Sequence, residues 1–189
     1  MHESEIRGAG CSFYPGVRAK EGFTFPRVFP VRQNFDAESV VDVEACVAAQ
    51  VDSIVDTSPL KEGARVALAV GSRGIAGLDR IVRTLVETLR RHGAAPFIVP
   101  AMGSHGGATK EGQAALLKEF GITEENVGAE VRSSMDVISL GEVIPGLPVW
   151  FDRVAHECAD CVISVVRVKN HTTFRGSIES GLHKMLCVG

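Results

Sequence analysis

Apolar and polar positions in the middle of the chain follow the pattern of a strand, a helix and a second strand. Residues 65–70 form a continuous apolar run of strand length, which is typical of a strand buried on both faces. From Leu78 to Leu89 apolar side chains recur at intervals of three and four residues, which predicts an amphipathic helix that Gly93 ends. Residues 96–100 repeat the strand pattern. Because strand–helix–strand units connect parallel strands, we expect these two strands to pair in parallel.

The segments before and after this unit extend the same architecture. Residues 1–35 contain many glycines and prolines and lack periodicity, so they predict an N-terminal arm or edge strands. Apolar residues at intervals of three and four predict a helix over about 37–56, with Asp36 as its N-cap. Another helix is predicted over 109–120, with Thr109 as its N-cap.

The remainder is predicted to add short elements and a third buried strand. In chain order these are a helical turn at 123–127, strands at 137–140 and 149–151 joined through Pro145 and Gly146 as a hairpin or loop, a helix at 153–160, a strand at 161–166 and a helix from Gly176. One α/β domain over residues 36–189 accounts for this pattern. We expect it to contain a Rossmann-like, mostly parallel sheet flanked by helices.

Length, composition and charge fit one globular domain of ordinary size. The chain has 189 residues, of which 45% are hydrophobic and 23% charged, enough for a full core. A net charge of −3 gives no reason to expect nucleic acid or an anionic membrane as a partner. No apolar run is long enough to span a bilayer, and the N-terminus lacks a signal-peptide core, so the expected location is the cytoplasm. Because the chain stops beside its most reactive residues, we expect it to be a fragment.

Five cysteines, an odd number, argue against a secreted disulfide framework. Cys158 and Cys161 form a C-x-x-C pair close to His156, which suggests a redox or metal site. The alternative is structural packing, because the sequence has no second cysteine pair to complete a zinc site. In addition, Cys161 opens an apolar strand in which a small buried residue fits. We favour packing; metal in the purified protein that Cys161→Ser removes would support the other hypothesis.

Three loops follow the predicted parallel strands, at the edge where open parallel sheets bind ligands. They cover residues 71–76, 101–108 and 167–175. The segment Gly71-Ser-Arg-Gly fits either a phosphate or carboxylate site, in which Arg73 donates hydrogen bonds, or a plain turn, and it is not a P-loop. His105 is either a ligand-facing or a structural histidine. Conspicuous polar side chains in the three loops are Ser72, Arg73, Ser104, His105, Lys169, His171 and Thr172.

The last predicted helix, counted from Gly176, separates Lys184 from its apolar positions. Those positions are Ile178, Leu182, Met185 and Leu186. Small residues lie one and two turns before Lys184 on its own side, and they are Ser177, Ser180 and Gly181. A partly desolvated lysine above such a lane would be a good nucleophile or covalent anchor. A solvent-exposed lysine on a surface helix is the alternative.

Four of these segments form a combination that is more specific than any one of them. They are Gly71-Ser-Arg-Gly, Pro100-Ala-Met-Gly-Ser-His-Gly-Gly-Ala-Thr, Arg167-Val-Lys-Asn-His-Thr-Thr-Phe and Glu179-Ser-Gly-Leu-His-Lys. Together they resemble the N-terminal domain of the nickel-dependent lactate racemase family, from about residue 60 to the end. The resemblance implies a two-domain α/β enzyme that acts on a small 2-hydroxy acid in the cleft between its domains.

The resemblance also implies a cofactor and roles for particular residues. The cofactor is a nickel pincer nucleotide, bound covalently through Lys184. His105 and His171 match the two catalytic histidines, and Arg73, beside Ser72, matches an arginine near the substrate or the anionic groups of the cofactor. The implied reaction removes the α-hydrogen as hydride to form a planar 2-keto acid. One histidine then serves each face of that intermediate as acid or base.

The sequence departs from the family pattern around the lysine. It has Ser180-Gly181 and Val188-Gly189 where racemases of the family tend to have a paired glycine and Pro-Gly, which leaves another hydroxy acid or another reaction open. The nickel-binding histidine of the family follows its lysine at a distance, so His183 is not a match and no metal ligand is assigned.

We therefore expect the isolated 189-residue chain to be inactive. The alternative function is a non-catalytic α/β module that binds a phosphate or small carboxylate through Arg73 and the glycine loops. Both hypotheses name a small molecule as the partner, and both leave homo-oligomerisation open.

Overall fold

The computed structural model describes residues 29–34, 39–72, 74–168, 175–176 and 182 of the chain. The chain divides into two units, Met1–Glu38 and Ser39–Gly189. In the first unit, residues 29–34 are exposed and have no regular secondary structure. The helices and strands given below all belong to the second unit, and the domain boundary predicted at residue 35 stays a prediction.

The described part of the second unit has an α/β architecture. Its strands are β1 (Arg65–Val70), β2 (Ala95–Pro100), β3 (Val137–Ile144), β4 (Leu147–Asp152) and β5 (Cys161–Val165). Its helices are α1 (Val43–Thr57), α2 (Leu78–Arg91), α3 (Lys110–Glu119), α4 (Glu124–Val127) and α5 (Arg153–Cys158). The predicted fold class is confirmed, because the main sheet is parallel and helices flank it.

The parallel sheet has the strand order β2-β1-β5, with β1 at its centre. Leu68 of β1 pairs with Ile98 of β2 on one side and with Ile163 of β5 on the other. Helix α2 connects β1 to β2, so the predicted strand–helix–strand unit and its parallel pairing are confirmed. Because β5 lies on the other side of β1, the direction in which the chain crosses the sheet reverses at β1. Ligands of open α/β sheets bind outside the carboxyl ends of the strands at such a reversal.

The two faces of this sheet are covered unequally. Side chains of β1 alternate between the faces. On the first face Val66, Leu68 and Val70 are fully buried in the main core, together with Val82 and Val86 of α2. The second face has a smaller core, in which the buried residues are Ala67, Phe97, Val99 and Ala155 of α5. The large side chains of β1 therefore point towards α2, and the alanines point towards the thinner layer.

Strands β3 and β4 form an antiparallel hairpin that is separate from the parallel sheet. Pro145 and Gly146 make its turn, and Gly146 has φ 83, a backbone conformation that favours glycine. The sequence left a hairpin or a loop open at this point, and the structure shows the hairpin. Several large apolar side chains of the hairpin are exposed, including Val143 and Ile144.

The predicted start of the first helix is wrong. Helix α1 begins at Val43, and Asp42 is its N-cap, because the Asp42 carboxylate accepts a hydrogen bond from the Ala45 N–H (2.9 Å). Residues 39–42 are not helical, and Asp36 lies outside the described residues. Aspartate is a good N-cap at either position, so the residue type alone could not choose between the two.

Strand β5 is less buried than predicted. Cys161 was expected to be a small buried residue, but it is exposed, because β5 is the edge strand of the described sheet. Cys158 at the end of α5 is half-buried and packs against the second-face core.

The helix predicted from Gly176 lies outside the described residues apart from Gly176 and Leu182, both of which are exposed. No helix in the described part of the chain is long and apolar enough to cross a membrane.

An ion pair joins the beginnings of the central strand and the edge strand. The carboxylate of Asp160, directly before β5, accepts hydrogen bonds from the Arg65 N–H (2.9 Å), Nε (3.1 Å) and Nη2 (2.8 Å). These hydrogen bonds lower the pKa of Asp160 to about 2. The bidentate contact fixes β5 against β1 at the end of the sheet opposite its carboxyl edge.

Candidate functional site

The carboxyl ends of the three parallel strands lie side by side. Gly71, directly after β1, donates its N–H to the Val165 carbonyl of β5 (3.1 Å). Ala101, directly after β2, donates its N–H to the Val70 carbonyl (2.8 Å). A Cβ on Gly71 would lie 3.4 Å from the Val165 oxygen, so the ends of the three strands lie close together here. The loops that follow them therefore start from one common edge, as the sequence predicted.

A hydrogen bond between Ser72 and His105 joins the loops after β1 and β2. The Ser72 Oγ contacts Nδ1 of the His105 ring, and both side chains are half-buried. A serine hydroxyl can accept a hydrogen bond from Nδ1–H or donate one to an unprotonated Nδ1. When Nδ1–H donates, Nε2 carries the lone pair and can take a proton from a bound molecule. The hydrogen bond therefore orients the His105 ring at the carboxyl edge of the sheet.

A tight, glycine-rich turn carries His105. A short 3-10 turn covers His105–Ala108, and Gly106 and Gly107 within it have φ values of 64 and 70. The His105 N–H donates to the Met102 carbonyl (3.1 Å). Positive φ is available to glycine at little steric cost, so these two glycines allow the chain to reverse immediately after the histidine.

Helix α3 supports this turn from behind. Thr109 is its N-cap, as predicted, and accepts a hydrogen bond from the Gly112 N–H (3.1 Å). A Cβ on Gly112 would lie 1.8 Å from the Gly106 oxygen, so the helix and the turn touch through their backbones. The side-chain amide of Gln113 donates to the Gly103 carbonyl (2.8 Å). The turn is therefore held to α3 on both sides of His105.

Two further residues at this edge are Gln113 and Arg167, to which the sequence motifs assign no role. Gln113 lies four residues before the buried Leu117, so its polar side chain falls on the buried side of α3, which is the signal that could have found it. Arg167 follows β5, and a Cβ on Gly74 would lie 3.1 Å from its Nη1. The loops after β1 and β5 therefore also meet, and they bring an exposed cation to this edge.

The structure brings together two of the five predicted site residues, Ser72 and His105. The other three, Arg73, His171 and Lys184, lie outside the described residues. The same holds for the polar positions Lys169 and Thr172, whereas Ser104 is described and exposed. The predicted convergence of three loops is thus seen at its described members, which are the loops after β1 and β2 and the first residues after β5.

A cavity of about 270 Å³ opens on the second face of the sheet, beside the turn that carries His105. Trp150 and Met135 form part of its apolar wall, and Gly103 and Gln113 line the side nearest that turn. Asp152 also lines it. Burial raises the pKa of the Asp152 carboxyl, although the Ala155 N–H donates to it (2.6 Å). The cavity combines apolar walls with a few polar groups, as ligand pockets do.

The described residues contain no group of three or more His, Cys, Asp or Glu side chains that could hold a metal ion. Cys158 and Cys161 are both free thiols.

A sequence profile of the lactate racemase N-terminal domain matches residues 28–177. The match covers every described helix and strand and includes the Ser72–His105 pair. The chain belongs to the lactate racemase N-terminal domain family. The family resemblance seen in the loop motifs is thereby confirmed. No curated protein matches the chain at significant similarity.

The match to the lactate racemase N-terminal domain covers four of the five predicted site residues. Ser72, Arg73, His105 and His171 all fall inside the matched range, and Lys184 lies beyond it. The best-described part of the site is therefore the Ser72–His105 pair, at the edge where open parallel sheets bind their ligands.

Proposed function

We propose that this domain is the cofactor- and substrate-binding half of a 2-hydroxy acid racemase or epimerase that works by hydride transfer. The observation that carries the proposal is the Ser72–His105 hydrogen bond at the carboxyl edge of the sheet, in a chain of the lactate racemase family. A histidine oriented in this way can accept and return a hydroxyl proton. That is the proton chemistry that interconversion of a hydroxy acid and a keto acid requires.

When the Ser72 O–H donates to a bound anion, its Oγ can only accept from His105, which selects the Nδ1–H tautomer. In the proposal Nδ1–H of His105 donates to the Ser72 Oγ, which leaves the Nε2 lone pair to take the proton of the substrate hydroxyl. The serine O–H can at the same time donate to an anionic oxygen of a bound molecule. His105 serves one face of the planar keto acid, and His171 is proposed to serve the other.

The described residues fit the polar part of a nickel pincer nucleotide. The Ser72 hydroxyl and the exposed Arg167 guanidinium lie at one edge, and such donors stabilise phosphate and carboxylate groups. We assign Ser72 and Arg73 to the anionic groups of the cofactor and Lys184 to its covalent attachment. The chemistry that the bound cofactor supplies is reversible acceptance of the α-hydrogen as hydride.

An isotope experiment tests the hydride route. The protein that carries this domain is co-expressed with cofactor-making enzymes and given one enantiomer of lactate with deuterium at the α-carbon. Hydride transfer predicts that the opposite enantiomer keeps the deuterium, because the label never exchanges with water. An opposite enantiomer that has lost its label to solvent would point to proton abstraction and overturn the proposal.

Variants in the same experiment test the assigned residues. His105→Ala is expected to lower kcat at least about 100-fold, because it removes the acid–base group. His156→Ala is the matched control, since His156 is exposed on α5 and its loss should leave kcat unchanged.

Intact-mass analysis should show an adduct on the wild-type protein and no adduct on Lys184→Arg. Equal adducts on both proteins would contradict the assignment of Lys184.

The second candidate function is a module that binds phosphate or a small carboxylate without catalysis. The contact of Arg167 with the loop of Gly74 favours it, because it adds a cation beside the loop that contains Arg73. Calorimetric titration with phosphate and with lactate separates the two functions. Binding that Arg73→Ala abolishes and Lys184→Ala leaves unchanged, together with no racemisation, would establish the binding module.

A further inference from the structure

The glutamine behind the His105 turn is buried although it is polar. Gln113 is 4% exposed, whereas its neighbours along the buried side of α3 are leucines. Burying an amide is unfavourable unless it is hydrogen-bonded, so packing alone would favour an apolar side chain at this position. The amide of Gln113 donates to the Gly103 carbonyl (2.8 Å). Its polarity therefore serves the turn that α3 supports.

Gln113 and a glycine contact hold this turn on the two sides of His105. Before the histidine, Gly103 is tied to α3 by the Gln113 amide. After the histidine, Gly106 rests directly on Gly112, with no room for a Cβ on either residue. The two residues between these attachment points are Ser104 and His105. The backbone that carries the imidazole is thus fixed at both ends by one helix.

The helix end that provides both attachments is itself well fixed. The Gln113 N–H donates to the Thr109 carbonyl (2.9 Å), and the Gly112 N–H donates to the Thr109 hydroxyl (3.1 Å). Gln113 therefore presents its side chain from the first turn of a capped helix. A side chain on a rigid element positions its partner more accurately than one on a loop.

We propose that Gln113 is a positioning residue for His105, holding the histidine against Ser72 through the Gly103 carbonyl. This inference rests on the proposed role of His105 as the acid–base group. Without the amide donor, the Gly103 carbonyl loses its partner and the turn relaxes. The Ser72–His105 hydrogen bond then loosens, and the ring no longer prefers one tautomer. Small misplacement of a catalytic group lowers the rate strongly, by up to about 100-fold for about 1 Å.

Nitrogen NMR of the histidine rings tests the inference without any activity measurement. The protein is labelled with ¹⁵N-histidine, and His105→Ala identifies the signals of His105. Gln113→Leu keeps the approximate volume and removes the donor, and Gln113→Glu keeps the shape and removes the donor at neutral pH. Both are expected to move the Nδ1 and Nε2 shifts of His105 towards those of Ser72→Ala. Gln50→Leu is the matched control, because Gln50 is exposed on α1 and its loss should leave these signals unchanged.

The outcomes separate this inference from the proposed function. Wild-type His105 signals in folded Gln113→Leu or Gln113→Glu protein would overturn the positioning role, whatever the activity. If the wild-type protein shows no racemisation but the variants shift the His105 signals, the proposed function fails and the positioning role stands. In an active enzyme we expect kcat to fall about 10–100-fold in Gln113→Leu while KM changes little. A fall in kcat/KM of the same size that comes from KM alone would contradict a role that acts through His105.

Discussion

At the scale of single residues, the site depends on a glycine that would normally be unfavourable. Gly112 lies in the first turn of α3, where alanine is the better helix former by roughly 1 kcal/mol. A Cβ at this position would lie 1.8 Å from the Gly106 oxygen and 2.9 Å from the Thr109 hydroxyl oxygen. Helix propensity therefore favours alanine at position 112, whereas the close approach of the His105 turn requires glycine. The sequence has glycine, so the close approach outweighs helix propensity here.

We predict that Gly112→Ala destabilises the protein by about 1–3 kcal/mol, the range for overpacking a tight contact. The matched control is Ala115→Gly, an exposed position in the same helix, where the loss of alanine should cost roughly 1 kcal/mol. Urea unfolding followed by circular dichroism gives both free energies. The two positions thus prefer opposite residues, and a stabilised Gly112→Ala protein would show that the turn does not rest on α3.

At the scale of elements, the start of α5 carries an acid in an unfavourable environment. Asp152 caps the helix, with the Ala155 N–H as donor (2.6 Å). Burial raises the pKa of its carboxyl above the usual 3.8, and nearby Asp136 acts in the same direction, so ionisation is disfavoured in the folded state. Its contribution to stability is therefore complete below about pH 4 and is lost as the pH rises through the raised pKa.

We predict that Asp152→Asn is more stable than the wild type at pH 7 and that the difference disappears near pH 3. Asparagine is as good an N-cap as aspartate and has no charge to desolvate. The free energies of unfolding in urea, measured from pH 3 to pH 7, would reveal this divergence. Asp152→Ala is the control that loses the cap, at a cost of about 0.5–2 kcal/mol. A wild type that is the more stable protein at pH 7 would contradict the effect of burial.

Periodicity and strand order explain what could be predicted at this scale. The apolar repeats of α2 and the runs of β1 and β2 fixed the parallel unit, and parallel strands place Ser72 and His105 at one edge. Two features depended on tertiary structure. The exposure of Cys161 follows from the edge position of β5, and the role of Gln113 follows from a carbonyl ten residues earlier in the chain. Neither the edge position of β5 nor the hydrogen bond from Gln113 to Gly103 can be predicted from the spacing of nearby residues.

At the scale of the whole molecule, the described core is concentrated on one face of the parallel sheet. Val66 in the central strand is 0% exposed and belongs to the main core with α2. Val162 in the edge strand is 39% exposed and lines the cavity on the second face. A valine therefore lies in a packed environment in β1 and another lies in an open environment in β5, which allows the packing of the two faces to be compared.

We predict that Val66→Ala costs about 2–3 kcal/mol, because it removes two buried carbon groups and leaves a void in a close-packed layer. Val162→Ala should cost less than about 1 kcal/mol, because its side chain already faces open space. The free energies of unfolding of the two variants, measured in urea by circular dichroism at 222 nm, show whether Val66→Ala is the more costly substitution. Equal losses would mean that the second face is packed as tightly as the first in solution. The cavity beside the His105 turn would then be filled rather than open.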